Sequence, residues 1–190
     1  MDDNATDYKG YKITIDQDNF DSESPLDWVT PAERGAWYVM SHRQYNVPNE
    51  LDVDFGDYDS WHELAEAEAK GRPYKYVRWY EHTGIAVSLR DDASVNDFDA
   101  GIVGVIIGET TQAIEASFAE WKCYIEGEIY RYDITDEFGN DVDSLGLIYG
   151  YDEALTMAKE AVDDHINRPY ELMPTAGQMQ AIAEQIAEDE

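Results

Sequence analysis

Residues 74–108 read YKYVRWYEHTGIAVSLRDDASVNDFDAGIVGVIIG, and how this stretch folds decides the rest. Its first part, Tyr74 to Leu89, is rich in aromatic and β-branched residues, which favour a pleated, half-buried surface. Thr83-Gly84 interrupts it, giving either two short strands or one long bulged strand. An acidic loop follows. Ile102, Val103, Val105, Ile106 and Ile107 then form a nearly continuous apolar run bounded by glycines, the pattern of a strand covered on both faces. These strands are expected at the middle of a sheet.

Outward from this centre, Tyr11, Ile13 and Ile15 alternate with Lys12, Thr14 and Asp16, predicting a half-buried strand over residues 8–16. Pro25 and Pro31 predict a long loop before a strand over 36–40, with Trp28 plugging the loop against the core. Residues 47–59 are expected to be irregular and solvated. Ser60 with Glu63 is a capping-box pattern that opens a helix over 61–70, closed by Gly71-Arg72-Pro73. Thr110 or Thr111 caps a helix with Ile114, Phe118, Trp121 and Ile125 on one stripe, stopped by Gly127. Residues 128–149 read as a hairpin turning at Phe138-Gly139-Asn140. A helix from about Tyr151 points Ala154, Leu155, Ala158, Ala161, Val162 and Ile166 inward. Beyond Pro169 and Pro174, Thr175 with Gln178 caps a last helix with Met179, Ile182 and Ile186 on one side, suited to docking or dimerisation.

The expected fold is α+β, with a mainly antiparallel five- or six-stranded sheet and three or four helices packed on one side. The expected domain plan is a disordered acidic lead-in over 1–7, one α+β domain over 8–168, and a linker with the C-terminal helix over 169–190. Strand-helix alternation is poor and Gly101, Gly104 and Gly108 precede no phosphate-binding helix, so a dinucleotide fold is not expected. MDDNATDYKG lacks a basic region and an apolar stretch, and no apolar run reaches membrane-spanning length, so neither a signal peptide nor a membrane partner is expected. Cys123 is the single cysteine, which excludes an intramolecular disulfide and fits a reducing cytoplasm.

Forty-two acidic against 13 basic side chains give a formal charge of -29. Such a balance repels a compact chain from itself and excludes direct nucleic-acid binding. Three readings remain: a salt-adapted surface, an imitation of the DNA phosphate backbone offered to a basic groove, or a group of divalent-cation sites. Duplex DNA carries one charge per about 1.7 Å, so some 29 charges match about 50 Å of duplex. A chain of this length is about 40 Å across. The densities are comparable.

The interface candidates are Asp52, Asp54, Phe55, Asp57, Tyr58 and Asp59, where acids alternate with aromatic residues, together with Asp91, Asp92, Asp97 and Asp99. Phe55 and Tyr58 either anchor a partner or pin the segment to the core. His42, His82 and Asp99 form an alternative two-histidine, one-carboxylate metal site for a small hydrolase, if the strands carrying them are neighbours. No nucleophile elbow, phosphate loop, HExxH or EF-hand pattern is present, so neither a catalytic residue nor a cofactor is expected.

Several stretches are also familiar as a set: Ser24-Pro25 with Trp28; His42-Arg43 with Tyr45-Asn46; Tyr80-Glu81-His82-Thr83-Gly84-Ile85-Ala86-Val87-Ser88; Phe98-Asp99-Ala100-Gly101 with Val103-Gly104; and Gly146-Leu147-Ile148-Tyr149-Gly150. In this order they resemble a group of acidic proteins encoded by phages, plasmids and other mobile elements. That group has a serine where this chain has Ala100, which argues against a nucleophile there. The resemblance implies a cytoplasmic inhibitor of restriction or CRISPR machinery, an anti-restriction or anti-CRISPR protein, monomeric or dimeric. Its partner would be a host nucleic-acid-binding protein or complex. It carries no catalytic residues across.

Overall fold

The computed structural model describes residues 4–18, 23–94 and 99–167. Asp97, Phe98, the first three residues and the expected C-terminal linker and helix lie outside the described residues. The fold is α+β, with two antiparallel four-stranded sheets. In the first, β1 (Ala5–Tyr8), β2 (Tyr11–Gln17), β7 (Ile129–Thr135) and β8 (Asp141–Tyr149) lie in that order. In the second the order is β3-β6-β4-β5, from β3 (Ala36–Met40), β4 (Tyr74–Glu81), β5 (Ile85–Arg90) and β6 (Ala100–Gly108). The helices among the described residues are α1 (Pro31–Arg34), α2 (Trp61–Ala69), α3 (Thr111–Glu126) and α4 (Tyr151–Asn167).

Two sheets replace the single larger sheet that the sequence suggested, and the helices do not share one side. The reason lies in β6, where every residue from Val103 to Gly108 is buried. Alternating side chains of such a strand need a cover on each face. α3 supplies one, placing Ile114, Phe118 and Trp121 against Tyr38, Val77, Trp79, Val87 and Ile106. On the other face, Leu64, Ala65 and Ala69 of α2 meet Val39, Tyr76, Val105 and Ile107. Each fully buried large side chain stabilises by about 2–3 kcal/mol before ordering costs. Gly104 lets β3 and β6 close up, since a Cβ there would stand 2.5 Å from both Met40 Cγ and the Val39 carbonyl oxygen.

Local chemistry sets the helix ends. Thr110 accepts the Ala113 amide at 3.1 Å to start α3, and Gly127, at φ +75°, ends it. Ser60 accepts the Glu63 amide at 3.2 Å to start α2. The Glu63 carboxylate reaches the Asp59 amide at 2.8 Å, so the expected capping box closes one residue early.

The first sheet is built on a different core. Ile13 pairs with Ile134 and Ile15 with Tyr132, and the Ala154, Ala158 and Val162 face of α4 covers them. Four local expectations need correction. Residues 5–7 belong to β1 rather than to a lead-in. The region before β3 includes the Pro25–Asp27 turn and α1, capped by a reciprocal Thr30–Glu33 box. Trp28 is 49% exposed, its indole donating to Glu23 at 2.9 Å, while Pro25 and Leu26 fill the core position assigned to it. Ile166 is 48% exposed, one turn past Val162, where the buried row of α4 ends. Among the described residues, no helix is long and apolar enough to cross a membrane.

Candidate functional site

The segment between β3 and α2 is the part of the chain where the expected acids gather. It begins as an extension of the second sheet: the Met40 amide donates to the Pro48 carbonyl at 3.0 Å, and the Glu50 amide donates to that of Tyr38 at 2.8 Å. Glu50 is spent on structure, accepting the Tyr38 amide at 2.8 Å and pairing with Arg34. The Asn49 side chain closes the next turn, donating to the Val53 carbonyl at 2.7 Å and accepting its amide at 3.3 Å. Asp52 sits inside that turn at φ +53°, a left-handed conformation that Asp tolerates better than most residues. Asp54 then accepts the Gly56 amide at 2.8 Å through Oδ1 and opens the short turn Phe55–Asp57.

The aromatic residues here pin the segment. Phe55 stacks on Trp61 with ring centroids 4.1 Å apart, and the Tyr58 hydroxyl donates to Glu68 at 3.0 Å. That hydrogen bond to a carboxylate pushes the Tyr58 phenol above its ordinary pKa. Both side chains are half-buried against the α2 side of the core. Asp52, Asp54, Asp57 and Asp59 remain exposed, joined by Glu63 and Glu66 of α2. From residue 44 to residue 69 there are eight acids and no Lys or Arg.

A cleft of about 290 Å³ opens in this layer, lined by Val39, Met40, Ser41, Asn49, Asp52, Val53, Asp54, Phe55 and Trp61. Sequence reading placed Asp52, Asp54 and Phe55 in an interface. It did not reach Val39, Ser41, Asn49 and Trp61, because those walls come from β3, the turn and α2.

The other expected site residues lie elsewhere. Asp91 and Asp92 follow β5, at the opposite edge of the second sheet from β3. Asp91 pairs with Lys75, and Asp92 takes the Ser94 amide and hydroxyl and lies 3.9 Å from Arg90. The Ser94 hydrogen bonds hold the Asp92 carboxyl below its ordinary pKa. Asp99 stands just before β6, its Oδ2 3.7 Å from His82 Nδ1. His42 does not complete a metal site with them. Its Nδ1 accepts the Gln44 and Tyr45 amides at 3.1 and 3.2 Å, and its ring packs on Tyr45 and Trp79. Among the described residues, no three His, Cys, Asp or Glu side chains are arranged to hold a metal ion. Burial pushes the Cys123 thiol up, opposite to the shift that activates a nucleophile.

A second cleft, of about 460 Å³, lies where α3, β8 and α4 meet, and Leu145, Leu147, Met157 and Cys123 are among its walls. No protein-family model, no curated protein and no solved structure matches the chain.

Proposed function

We propose that this chain is a noncatalytic acidic inhibitor of a host nucleic-acid-binding defence protein or complex, of the CRISPR or restriction type, which it binds by imitating the DNA phosphate backbone. The observation that carries the reading is the layer over residues 44–69, where eight acids stand without a Lys or Arg and six of them are exposed. Glu63 and Glu66 lie three residues apart on α2, about 5–6 Å between Cβ atoms, where like charges destabilise a helix. No Lys or Arg within the segment offsets that repulsion. A basic groove would, and it would gain from charges presented in place of phosphates.

The layer is also anchored by its aromatic residues. Phe55, Tyr58 and Trp61 hold it against the core, so its acids are displayed from a fixed surface. Binding by such a surface weakens with salt, because the screening length falls from about 10 Å at 0.1 M to about 3 Å at 1 M. The site of action in this reading is the host cytoplasm.

The test is capture of binding proteins from a host lysate by the tagged chain, at low and high salt, beside the D52K/D54K/D57K/D59K variant. The expected result is a nucleic-acid-binding protein or complex held at low salt, displaced by duplex DNA and lost in the variant, whose circular dichroism stays unchanged. A folded variant that holds the same protein equally well overturns the placement. Capture of nothing, together with folding that needs high salt, replaces the reading with salt adaptation.

A further inference from the structure

The cleft beside Asp52 and Asp54 has the composition of a receptor for a long cationic side chain. Its walls combine apolar and aromatic surface, from Val39, Met40, Val53, Phe55 and Trp61, with two acids. Asp52 makes no hydrogen bond or ion pair among the described residues, and Asp54 uses only Oδ1, on Gly56. No Lys or Arg lines the cleft. Asn49 is different, because both ends of its amide are committed to Val53. The polar capacity left open is therefore mainly that of an acceptor.

We propose that this cleft takes one arginine side chain of the partner protein, an inference that rests on the function proposed above and narrows it to a single recognition element. At about 290 Å³ the cleft is at the low end of ligand sites, which run from about 300 to 1,000 Å³, so it suits one side chain better than a cofactor. An arginine has an apolar stem for Val39 and Val53 and a planar, weakly hydrated head that packs on aromatic rings. Phe55 and Trp61 supply the rings. Asp52 and Asp54 supply the counter-charge, and guanidinium-carboxylate bonds are among the stronger hydrogen bonds. A divalent cation is a poor occupant, since among the described residues no third His, Cys, Asp or Glu joins the two acids.

The probe is N-acetyl-arginine methylamide titrated into the full chain, followed by NMR through the Asp52–Phe55 amides and the Trp61 indole N–H, with the lysine and norleucine analogues as controls. Arginine should give saturable shifts with a Kd of about 1–10 mM, corresponding to the weak end of specific binding. Lysine should bind at least about 3-fold more weakly, and D52N/D54N should weaken arginine about tenfold, a change of about 1.4 kcal/mol. D152N/E160Q, on exposed positions of α4 beside the first sheet, should bind arginine as the parent does. Norleucine shifting the same resonances as strongly, or D52N/D54N binding unchanged, overturns the proposal; lysine binding as tightly as arginine overturns the choice of arginine. Arginine bound with no partner captured would remove the proposed function and leave the cleft's cation preference. A partner captured with no arginine bound would remove only this inference.

Discussion

The two sheets have four strands each, yet among the described residues β6 of one is covered on both faces, while the core of the other packs against α4. In the second sheet, β6 runs between α3 and α2, and side chains on both of its faces are fully buried. In the first, Ile13, Ile15, Tyr132 and Ile134 face α4, while Lys12 and Asp16 on the same β2 strand stay exposed. The difference bears on the proposed function. The second cover of β6 is only partly helix; the rest is the irregular acidic segment, tied down through Leu51, Val53, Phe55 and Tyr58. The need to bury a sheet face thereby fixes a charged surface in place.

The sharpest test of this comparison is one substitution made in each sheet. Ile106 and Ile134 are both essentially inaccessible. Removing their side chains to Ala costs the transfer free energy plus a cavity term that depends on how far the surroundings collapse. Ile106 lies on a strand held between α3 and α2, so I106A should cost about 4 kcal/mol, against about 3 kcal/mol for I134A, over which α4 can settle inward. Urea unfolding of the two variants measures both. Equal costs, or a larger one at Ile134, would break the claim that the second sheet is the more rigidly packed.

The sheets also differ at their edges. On β5 the outward Val87 amide donates to Glu126 of α3 at 2.9 Å, and Lys122 holds that carboxylate in turn. An edge amide satisfied by a side chain is closed to another chain's strand. On β8 the register slips near Tyr130–Tyr132, and Leu147 takes a left-handed φ of +58° with its amide bonded to Asp18 at 3.0 Å. That distortion disrupts the edge by shape in addition to the bond to Asp18. E126A should therefore lose about 1 kcal/mol and speed hydrogen exchange at Val87, leaving β8 amides unchanged. Faster exchange at both edges would show that they are not independently protected.

Much of this was readable in the sequence, and what was not has a common cause. The glycine-bounded run of β6, the Thr110 and Gly127 ends of α3 and the Ser60 cap of α2 are local signals, and each marks the element it was expected to mark. Pairing partners are not local. Ile13 meets Ile134 across more than 100 residues, and no periodicity in either strand states that they belong together. The division into two sheets was therefore hidden, and with it the helices' distribution over both faces of β6. Trp28 misled for a related reason: its size suggested burial, but Pro25 and Leu26 already fill the place and its indole is satisfied by Glu23. The acids of residues 52–59 were visible as a composition, whereas the cleft needs Val39 and Trp61 from elements on either side.

The smallest expected effect is local to the first sheet, at the tip of the β7–β8 hairpin. Asp136 accepts the Phe138 and Asn140 amides at 2.9 and 2.8 Å and the Asn140 side-chain amide at 2.8 Å. The Asn140 side-chain bond first, then the backbone ones, hold its carboxyl below the ordinary value. A carboxyl with a lowered folded pKa favours the folded state fully above its unfolded pKa, about 3.9, and that contribution disappears as pH falls through the lowered folded value. Acidification from neutrality also discharges the other carboxylates and relieves the repulsion that accompanies a net charge of -29. The global and local responses to acid therefore oppose each other. In an NMR titration the Phe138 and Asn140 amides should move with a shared midpoint below about 3.9, while the amides of β6 report no such step. D136N should abolish that midpoint. If these amides instead titrate at the ordinary Asp value, the turn is not held by its carboxylate, and the first sheet's hairpin has no acid-sensitive element to set it apart from the second sheet.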